Sequence, residues 1–232
     1  LAENVEQSFS RSGQKNYRAK GESKMTQKER MMAGLIYDPG DEDILREQYP
    51  YLGRLKEFND LPVDAEKERN AWMQEMFAEC GEGCFIQPPF YANWSGHHIH
   101  MGNRVYANFN FTVVDDGEVY IGDAVMFGPN VTIATAGHPV LPQLRKDGIQ
   151  YNKEVHIQRN VWIGANVVIL PGVTIGENSV IGAGSVVTKD IPANVVAVGS
   201  PCRVLRPIGE KDRKTFFRDE EFDEEARELW EF

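Results

Sequence analysis

A few side chains in this sequence are of the types that enzymes use for chemistry. His138 lies in a Gly-His-Pro sequence, and an imidazole with a pKa near its usual value of about 6.5 can accept a proton at neutral pH and return it later. His97, His98 and His100 crowd into one segment, where alternation along a strand would place His98 and His100 on one side, compatible with two metal ligands. The residues alone therefore leave general-base catalysis and a metal-bound water both open.

Two adjacent carboxylates suggest a polar binding site. Asp115 and Asp116 lead into a glycine, and a carboxylate can accept hydrogen bonds from the hydroxyls of a ligand. The same Asp-Asp-Gly sequence is also common in turns, so both interpretations stay open.

Composition limits the classes of function. The 232 residues include 35 acidic and 25 basic side chains, a formal net charge of −10, which argues against a nucleic-acid partner. No apolar run approaches the roughly 20 residues of a membrane span, and the first residues lack a signal-peptide core; we therefore expect no membrane partner and a cytoplasmic protein. The sequence has no Cys-x-x-Cys motif among its three cysteines, Cys80, Cys84 and Cys202. We interpret them as reduced structural thiols.

The strongest pattern is a period of six residues between about 82 and 208. Apolar residues occupy the first position of each six, and glycine often follows. These first positions are Ile121, Phe127, Ile133, Ile157, Ile163, Ile169, Ile175, Ile181 and Val187. Such a period is typical of a parallel β-helix built from hexapeptides, in which the first side chain points inward and glycine permits the corner. We predict a mainly β protein of this architecture.

The flanking regions predict a simple organisation. Residues 1–24 are polar and aperiodic, and we expect a disordered leader. Residues 25–81 have helical spacing and predict an α-helical cap, with Asp64 capping one helix and Pro50 and Pro62 dividing the region. Residues 134–156 interrupt the repeat as an excursion loop, which we expect to replace rungs, the stacked six-residue units, without changing the sixfold phase of the units that follow. Residues 209–232 form an acidic C-terminal tail.

Four segments resemble the galactoside and maltose O-acetyltransferases of the hexapeptide-repeat family. They are YANFNFTVVDD at 106–116, AGHPV at 136–140, NVWIGANVVILPGVTIGENSVIGAGSVVTKDIP at 160–192 and NVVAVGSPCRVLR at 194–206. The resemblance runs from about Met25 to Arg218. It implies a left-handed β-helix, a homotrimer with active sites between subunits, acetyl-CoA as the donor and a sugar hydroxyl as the acceptor.

The resemblance also implies roles for individual residues. His138 matches the catalytic histidine, Asp116 binds an acceptor hydroxyl, Asn108 lines the same pocket, and Tyr106 adds an aromatic wall. The positions that match coenzyme A contacts are Ala165, Ala183, Thr188, Lys189, Arg203 and Arg206. Trp162 matches a tryptophan near the cleft, although packing on the outer surface would explain it nearly as well. For the basic residues, ordinary surface charge is the alternative.

The departures from the family pattern all concern the acceptor side. A family acidic residue of the cap aligns, without gaps, to Pro39, and Asp38 or Asp41 would have to substitute for it. Asn93 stands where the family has a short polar ligand, and Gln150 lies where the galactoside enzyme is least similar. The identity of the sugar is therefore open.

Our prediction is an acetyl-CoA-dependent sugar O-acetyltransferase that needs no metal and transfers the acetyl group directly to a galactoside, maltose or glucose type of acceptor. The three cysteines are not expected to form an acetyl-enzyme, because no base is evident beside them. Two alternatives are a γ-carbonic-anhydrase-like metal hydratase and a non-catalytic solenoid scaffold.

Overall fold

The computed structural model describes residues 25–62 and 64–230. The leader predicted for residues 1–24 lies outside the described residues. Three helices precede the strands: α1 (Gln27–Met32), α2 (Glu42–Asp60) and α3 (Glu66–Met76).

Short strands follow along the rest of the chain. The first nine are β1 (Glu79–Cys80), β2 (Phe85–Ile86), β3 (Phe90–Ala92), β4 (Ile99–Met101), β5 (Tyr106–Ala107), β6 (Phe111–Val114), β7 (Val119–Ile121), β8 (Met126–Phe127) and β9 (Thr132–Ala134). The excursion contains β10 (Ala136–Gly137), α4 (Pro142–Arg145) and β11 (Tyr151–Asn152). The next eight are β12 (Val155–Ile157), β13 (Trp162–Ile163), β14 (Val168–Ile169), β15 (Thr174–Ile175), β16 (Val180–Ile181), β17 (Val186–Val187), β18 (Val195–Val198) and β19 (Arg203–Pro207). The tail contains a 3-10 turn (Glu210–Arg213), β20 (Thr215–Phe217), β21 (Glu220–Glu221) and α5 (Glu224–Trp230).

The strands form the three faces of a prism. The first face has the order β1-β4-β7-β12-β15, the second β19-β18-β16-β13-β8-β5-β2, and the third β17-β14-β9-β6-β3. Pairing between successive turns is parallel, and among the strands described in the three faces only β19 joins its face antiparallel. The solenoid predicted from the sixfold pattern is therefore confirmed. Every first-position side chain of the repeat is at most 3% exposed, which places the apolar core inside the prism.

Asparagine, rather than glycine, supplies the left-handed backbone at several corners. Asn110, Asn130 and Asn166 have φ values of 59°, 59° and 57°, and their amides form a ladder with N–O distances of 2.9 and 3.1 Å. Asparagine tolerates this conformation better than most residues. The repeat glycines serve a different purpose: a Cβ on Gly128 would lie 2.7 Å from the backbone nitrogen of Ala165. Glycine is needed there because consecutive turns approach closely.

The helical cap closes one end of the prism. Phe58 of α2 packs against Trp72 of α3 and against Phe90 of β3, with ring centroids 5.0 and 5.9 Å apart. Two expectations are wrong here. Pro50 lies inside α2 instead of dividing it, because packing of buried side chains offsets the lost hydrogen bond, and α3 has no side-chain cap from Asp64.

The excursion leaves the prism between the third and first faces. Its strands β10 and β11 pair antiparallel, and Tyr37 of the cap forms a β-bridge with Gln150. The excursion replaces no rung, contrary to expectation, because Ile157 pairs directly with Ile121 of the preceding turn. The phase survives because the inserted chain leaves and returns at the same corner.

Candidate active site

His138 lies on the excursion, and its side chain is exposed within the single chain. Its Nδ1 is 2.8 Å from the carbonyl oxygen of Ile149, on the opposite arm of the excursion. A carbonyl can only accept, so this contact places the ring proton on Nδ1 and leaves the Nε2 lone pair free to accept a proton. The geometry therefore suits a general base.

Asp116 is the centre of a hydrogen-bonded network and is 7% exposed. Its Oδ1 accepts from the indole nitrogen of Trp94 at 3.0 Å, and its Oδ2 accepts from Asn93 at 3.1 Å and Gln150 at 3.2 Å. A carboxylate has about four acceptor positions. Three protein donors therefore leave room for about one further hydroxyl.

Gln150 and Tyr37 link this network to the cap. The Gln150 amide donates to the Tyr37 hydroxyl at 2.5 Å, and that hydroxyl donates to Asn152 at 3.2 Å. The Asn152 amide in turn donates to the main-chain oxygen of Asp116 at 2.7 Å. Burial and the nearby Asp116 carboxylate raise the pKa of Tyr37, so the phenol stays neutral and can hold both bonds.

Asp115 has a structural position beside the site. It is fully buried, and its carboxylate accepts from the backbone nitrogens of Trp94 at 2.8 Å and Gly96 at 2.9 Å. Burial raises the pKa of Asp115 to about 7, although these backbone donors oppose the rise. Asp115 therefore fixes the turn that presents Asn93 and Trp94 to Asp116.

The clustered histidines face separate partners. His97 Nε2 is 3.2 Å from the Tyr51 hydroxyl, His98 Nδ1 is 2.6 Å from the Asp115 carbonyl, and His100 Nε2 is 2.9 Å from Glu118. Burial, followed by the neighbouring His98, lowers the pKa of His97. Within the described part of the chain, no group of three or more His, Cys, Asp or Glu side chains could hold a metal ion.

The two flanking aspartates of the cap differ in their contacts. Asp41 is the N-cap of α2 and accepts from the backbone nitrogen of Asp43 at 3.1 Å. Asp38 is exposed and directly follows Tyr37, and one of its oxygens accepts from Gly40 at 2.8 Å. Each carboxylate thus accepts one backbone hydrogen bond, and Asp38 is the more exposed of the pair.

The sequence-predicted residues fall on two different edges of the prism. Asn108, Ala165 and Ala183 each follow a strand of the second face and form what we call the Ala165 edge. Residues that each follow a strand of the third face form the His138 edge. These are Asn93, Asp116, His138, Thr188 and Lys189. The third face separates the two edges, because β6 begins after Asn108 and ends before Asp116.

The remaining candidates lie on the second face or beyond it. Tyr106 and Trp162 point outward, 38% and 52% exposed, with Met126 between them in register. Tyr106 stacks on Phe85 at 6.0 Å. Arg203 and Arg206 lie on β19, and Arg206 donates two hydrogen bonds, both 2.7 Å, to Asp212 of the tail. That pairing lowers the pKa of Asp212 to about 2.

Sequence reasoning missed Tyr37, Trp94 and Asn152 as members of the network. Trp94 could have been suspected from its position next to Asn93, but nothing in the local sequence marks Tyr37 or Asn152. Both become neighbours of Asp116 only when the excursion folds back onto the cap.

Comparison with known proteins supports the resemblance. Residues 154–189 match the family model of the bacterial transferase hexapeptide, and residues 30–81 match the maltose acetyltransferase hexapeptide capping motif. The chain is 55% identical over 188 residues to the galactoside O-acetyltransferase of Lactococcus lactis, covering 81% of this chain and 91% of that protein. It is 48% identical over 195 residues to the galactoside O-acetyltransferase of Escherichia coli, covering 84% and 96%.

A solved structure extends this likeness to the fold. A galactoside acetyltransferase in complex with coenzyme A superposes with a TM-score of 0.83 at 46% identity, covering 86% of this chain and 100% of that one. No helix in the described ranges is long and apolar enough to cross a membrane. The resemblance inferred from the sequence is confirmed, and the chain belongs to the hexapeptide-repeat acetyltransferase family that includes the galactoside O-acetyltransferases.

Proposed function

We propose that this protein transfers the acetyl group of acetyl-CoA directly to a sugar hydroxyl, with His138 as the general base. The observation that carries the proposal is the contact between His138 Nδ1 and the Ile149 carbonyl. That contact holds the imidazole in the tautomer that a base requires. Two relatives named as galactoside O-acetyltransferases support the acceptor class, and a solved galactoside acetyltransferase in complex with coenzyme A supports the donor.

In the proposed reaction, Nε2 of His138 accepts the proton of the acceptor hydroxyl. The oxygen attacks the thioester carbonyl, and the tetrahedral oxyanion is stabilised by backbone amides near Ala165. The intermediate then collapses and expels the coenzyme A thiolate, to which the imidazolium returns the proton. The acetyl group thus moves to the acceptor oxygen and the proton to the coenzyme A thiolate, so no acetyl-enzyme is needed.

Asp116 is proposed to hold a second hydroxyl of the acceptor. Its network keeps the carboxylate oriented, and a fixed acceptor can align the reacting hydroxyl with the base. Asn93 and Asp38 of the same chain are proposed to complete the acceptor pocket. Asn108 and the aromatic wall of Tyr106, which lie across the third face from Asp116 in one chain, are proposed to enter it from a neighbouring subunit. The β-bridge between Tyr37 and Gln150 of the excursion supports a place for the adjacent Asp38 in this pocket.

Donor binding is assigned to the Ala165 edge and the basic residues near the end of the prism. The main-chain groups of Ala165 and Ala183 suit the pantetheine amides, since the corner residues of successive turns form a straight row. Thr188, Lys189, Arg203 and Arg206 are proposed to contact the remaining part of coenzyme A, with the cations at its phosphates. Trp162 lies on the same face as this row and is proposed to line the cleft.

The distribution over two edges supports a site shared between subunits. In one chain, the third face lies between His138 and Ala165, so a single prism does not bring the base and the proposed donor groove together. A neighbouring prism that sets its Ala165 edge against this chain's His138 edge would join them. We propose a homotrimer, which supplies three such clefts by rotation. The cytoplasmic location expected from the sequence stays a prediction.

The test is a thiol-release assay with acetyl-CoA over galactosides, glucose, maltose and amino sugars. We expect turnover with at least one of these sugars, and His138→Ala should lower it by at least about a hundredfold without changing the oligomeric state. His156→Ala is the matched control, because His156 lies on the first face and pairs with Glu154. Normal turnover in His138→Ala, or equal losses in both variants, would contradict the assignment.

A further inference from the structure

Gln150 has only one polar side-chain atom left for a ligand. Its nitrogen carries two hydrogens and already lies near three protein acceptors: the Tyr37 hydroxyl at 2.5 Å, Asp116 Oδ2 at 3.2 Å and Asn152 Oδ1 at 3.4 Å. Because a carboxylate can only accept, the contact with Asp116 assigns the nitrogen to this side of the amide. The nitrogen therefore has no hydrogen left to donate to a ligand.

The oxygen of the same amide has no hydrogen-bond partner among the described residues. It is also not one of the side-chain atoms that the described chain shields from solvent without pairing. Gln150 Oε1 is therefore open to solvent, although the residue as a whole is 8% exposed. Asn93 repeats this arrangement, since its nitrogen donates to Asp116 Oδ2 at 3.1 Å and its oxygen accepts no hydrogen bond within the described ranges. Two amide oxygens beside the Asp116 carboxylate can thus accept from a ligand.

The Asp116 carboxylate has no cationic partner in the described part of the chain. It is 7% exposed, and its three donors, Trp94, Asn93 and Gln150, are neutral. The adjacent Asp115 is buried as well, and its carboxylate accepts from backbone nitrogens. Burying a carboxylate is costly unless hydrogen bonds and an opposite charge compensate for the lost water. A cationic ligand would supply that charge.

We propose that the acceptor is an amino sugar and that Gln150 is the specificity-determining residue that selects it. This selection rests on the proposed function, in which Asp116 holds a neighbouring hydroxyl of the same sugar. A protonated amine has three donor hydrogens and no acceptor, so it matches the free oxygens of Gln150 and Asn93 and the charge of Asp116. A hydroxyl at the same ring position supplies one hydrogen and no charge.

Holding the amine in its protonated form also determines which atom is acetylated. An ammonium nitrogen has no lone pair and cannot attack the thioester, whereas the hydroxyl that gives its proton to His138 can. The acetyl group therefore goes to oxygen, and the amine is unchanged at the end of the reaction. The expected product is an ester, which hydroxylamine cleaves, and not an amide.

The experiment compares the methyl glycosides of glucosamine and galactosamine with those of glucose and galactose. Calorimetric titration of the full chain saturated with coenzyme A measures binding alone, and thiol release with acetyl-CoA measures turnover. In at least one pair, the amino sugar should bind at least about tenfold more tightly and have a kcat/KM at least about tenfold higher, as expected for one hydrogen bond to a charged group. The N-acetylated glycoside, which carries no charge, should lose this advantage.

Two glutamine variants separate selection of the sugar from support of the fold. Gln150→Met removes both polar atoms and should lower the ratio of kcat/KM between the amino sugar and its parent by at least about fivefold. Gln158→Met is the matched control and should leave the ratio unchanged, because Gln158 is exposed after β12 and accepts from the backbone of Glu177. A purely structural role of Gln150 would weaken both sugars equally and leave the ratio as it is.

Three outcomes would overturn the proposal. One is equal binding of the amino and parent sugars in both pairs, another is an unchanged ratio in Gln150→Met, and the third is an amide as the product. Acetylation of the sugars without a preference for the amine would refute this selection alone. A binding preference without acetylation of any sugar would instead refute the proposed acetyl transfer, so the two can fail separately.

Discussion

Two inactive variants should restore activity to each other if each site draws on two chains. His138→Ala removes the proposed base from the His138 edge. Ala165→Trp places a large side chain in the proposed donor groove on the Ala165 edge, at a position only half-buried within the chain. Each variant alone should retain about 1% of wild-type turnover or less.

The expected recovery follows from counting sites. In a trimer, each site takes His138 from one chain and Ala165 from the next, so an intact site needs an Ala165→Trp chain followed by a His138→Ala chain. Random assembly of equal amounts gives this order at about one site in four. If trimers containing both variants are isolated through two different affinity tags, about one site in three should be intact.

The assay is initial-rate thiol release per total subunit at saturating acetyl-CoA and acceptor. Recovery of about one quarter of the wild-type rate in the unselected mixture, and of about one third after two-tag isolation, would support the shared site. If the two-tag material contains both variants yet its rate equals the mean of the parents, each chain carries a complete site and the argument from the two edges is wrong.

Two further predictions concern ionisable groups other than His138, namely the Arg206–Asp212 pair and Asp115. Asp212→Ala releases Arg206 from its carboxylate partner. The KM for acetyl-CoA should then fall by up to about fivefold, because exposed ion pairs of this kind are worth at most about 1 kcal/mol. An unchanged or higher KM in steady-state kinetics would mean that Arg206 does not contact acetyl-CoA. Burial raises the pKa of Asp115 to about 7, above an unfolded value of about 3.9, so the folded state binds the extra proton and stability should fall as the pH rises from about 4 to about 7. Denaturant unfolding at a series of pH values should lose this slope in Asp115→Asn, and an identical slope in both proteins would show that another group causes it.

The prism could be predicted because its signal is repeated. Each six residues independently place an apolar side chain inside, and the observed pairs Ile121–Ile157 and Ile157–Ile175 follow the same phase. The corner residues were harder to assign, since glycine and asparagine both suit a left-handed backbone. Only the distance between consecutive turns shows which glycines are required by close approach.

The site could be predicted only in part, because its residues come together through a long excursion. His138 and Asp116 stood out by residue type and resemblance, but the bond from Gln150 to Tyr37 joins residues 113 positions apart. Pro50 shows that a local rule can also mislead. The preference of proline for helix ends predicted a break at this residue, but tertiary packing keeps α2 continuous. Long-range contacts of this kind leave no periodic trace in the sequence.

The energetic importance of the Asp116 network can be measured with two tryptophans. Trp94 is 1% exposed and its indole nitrogen donates to Asp116, whereas Trp72 is 6% exposed and its indole nitrogen has no hydrogen-bond partner among the described residues. Replacing either with phenylalanine removes a similar packing volume. Trp94→Phe also loses a bond to a carboxylate, worth about 1.5–3 kcal/mol, while Trp72→Phe removes a buried unsatisfied donor.

Trp94→Phe should therefore be less stable than Trp72→Phe by at least about 2 kcal/mol. For a chain of this size, that difference lowers the Tm by roughly 4–8 °C, measured by calorimetry at one protein concentration because assembly shifts the transition. The KM for the sugar should rise in Trp94→Phe alone, since only that variant leaves Asp116 Oδ1 without its indole donor. Equal melting temperatures for the two variants would mean that the indole bond contributes no net stability, and the fixed carboxylate proposed for the acceptor would lose its physical basis.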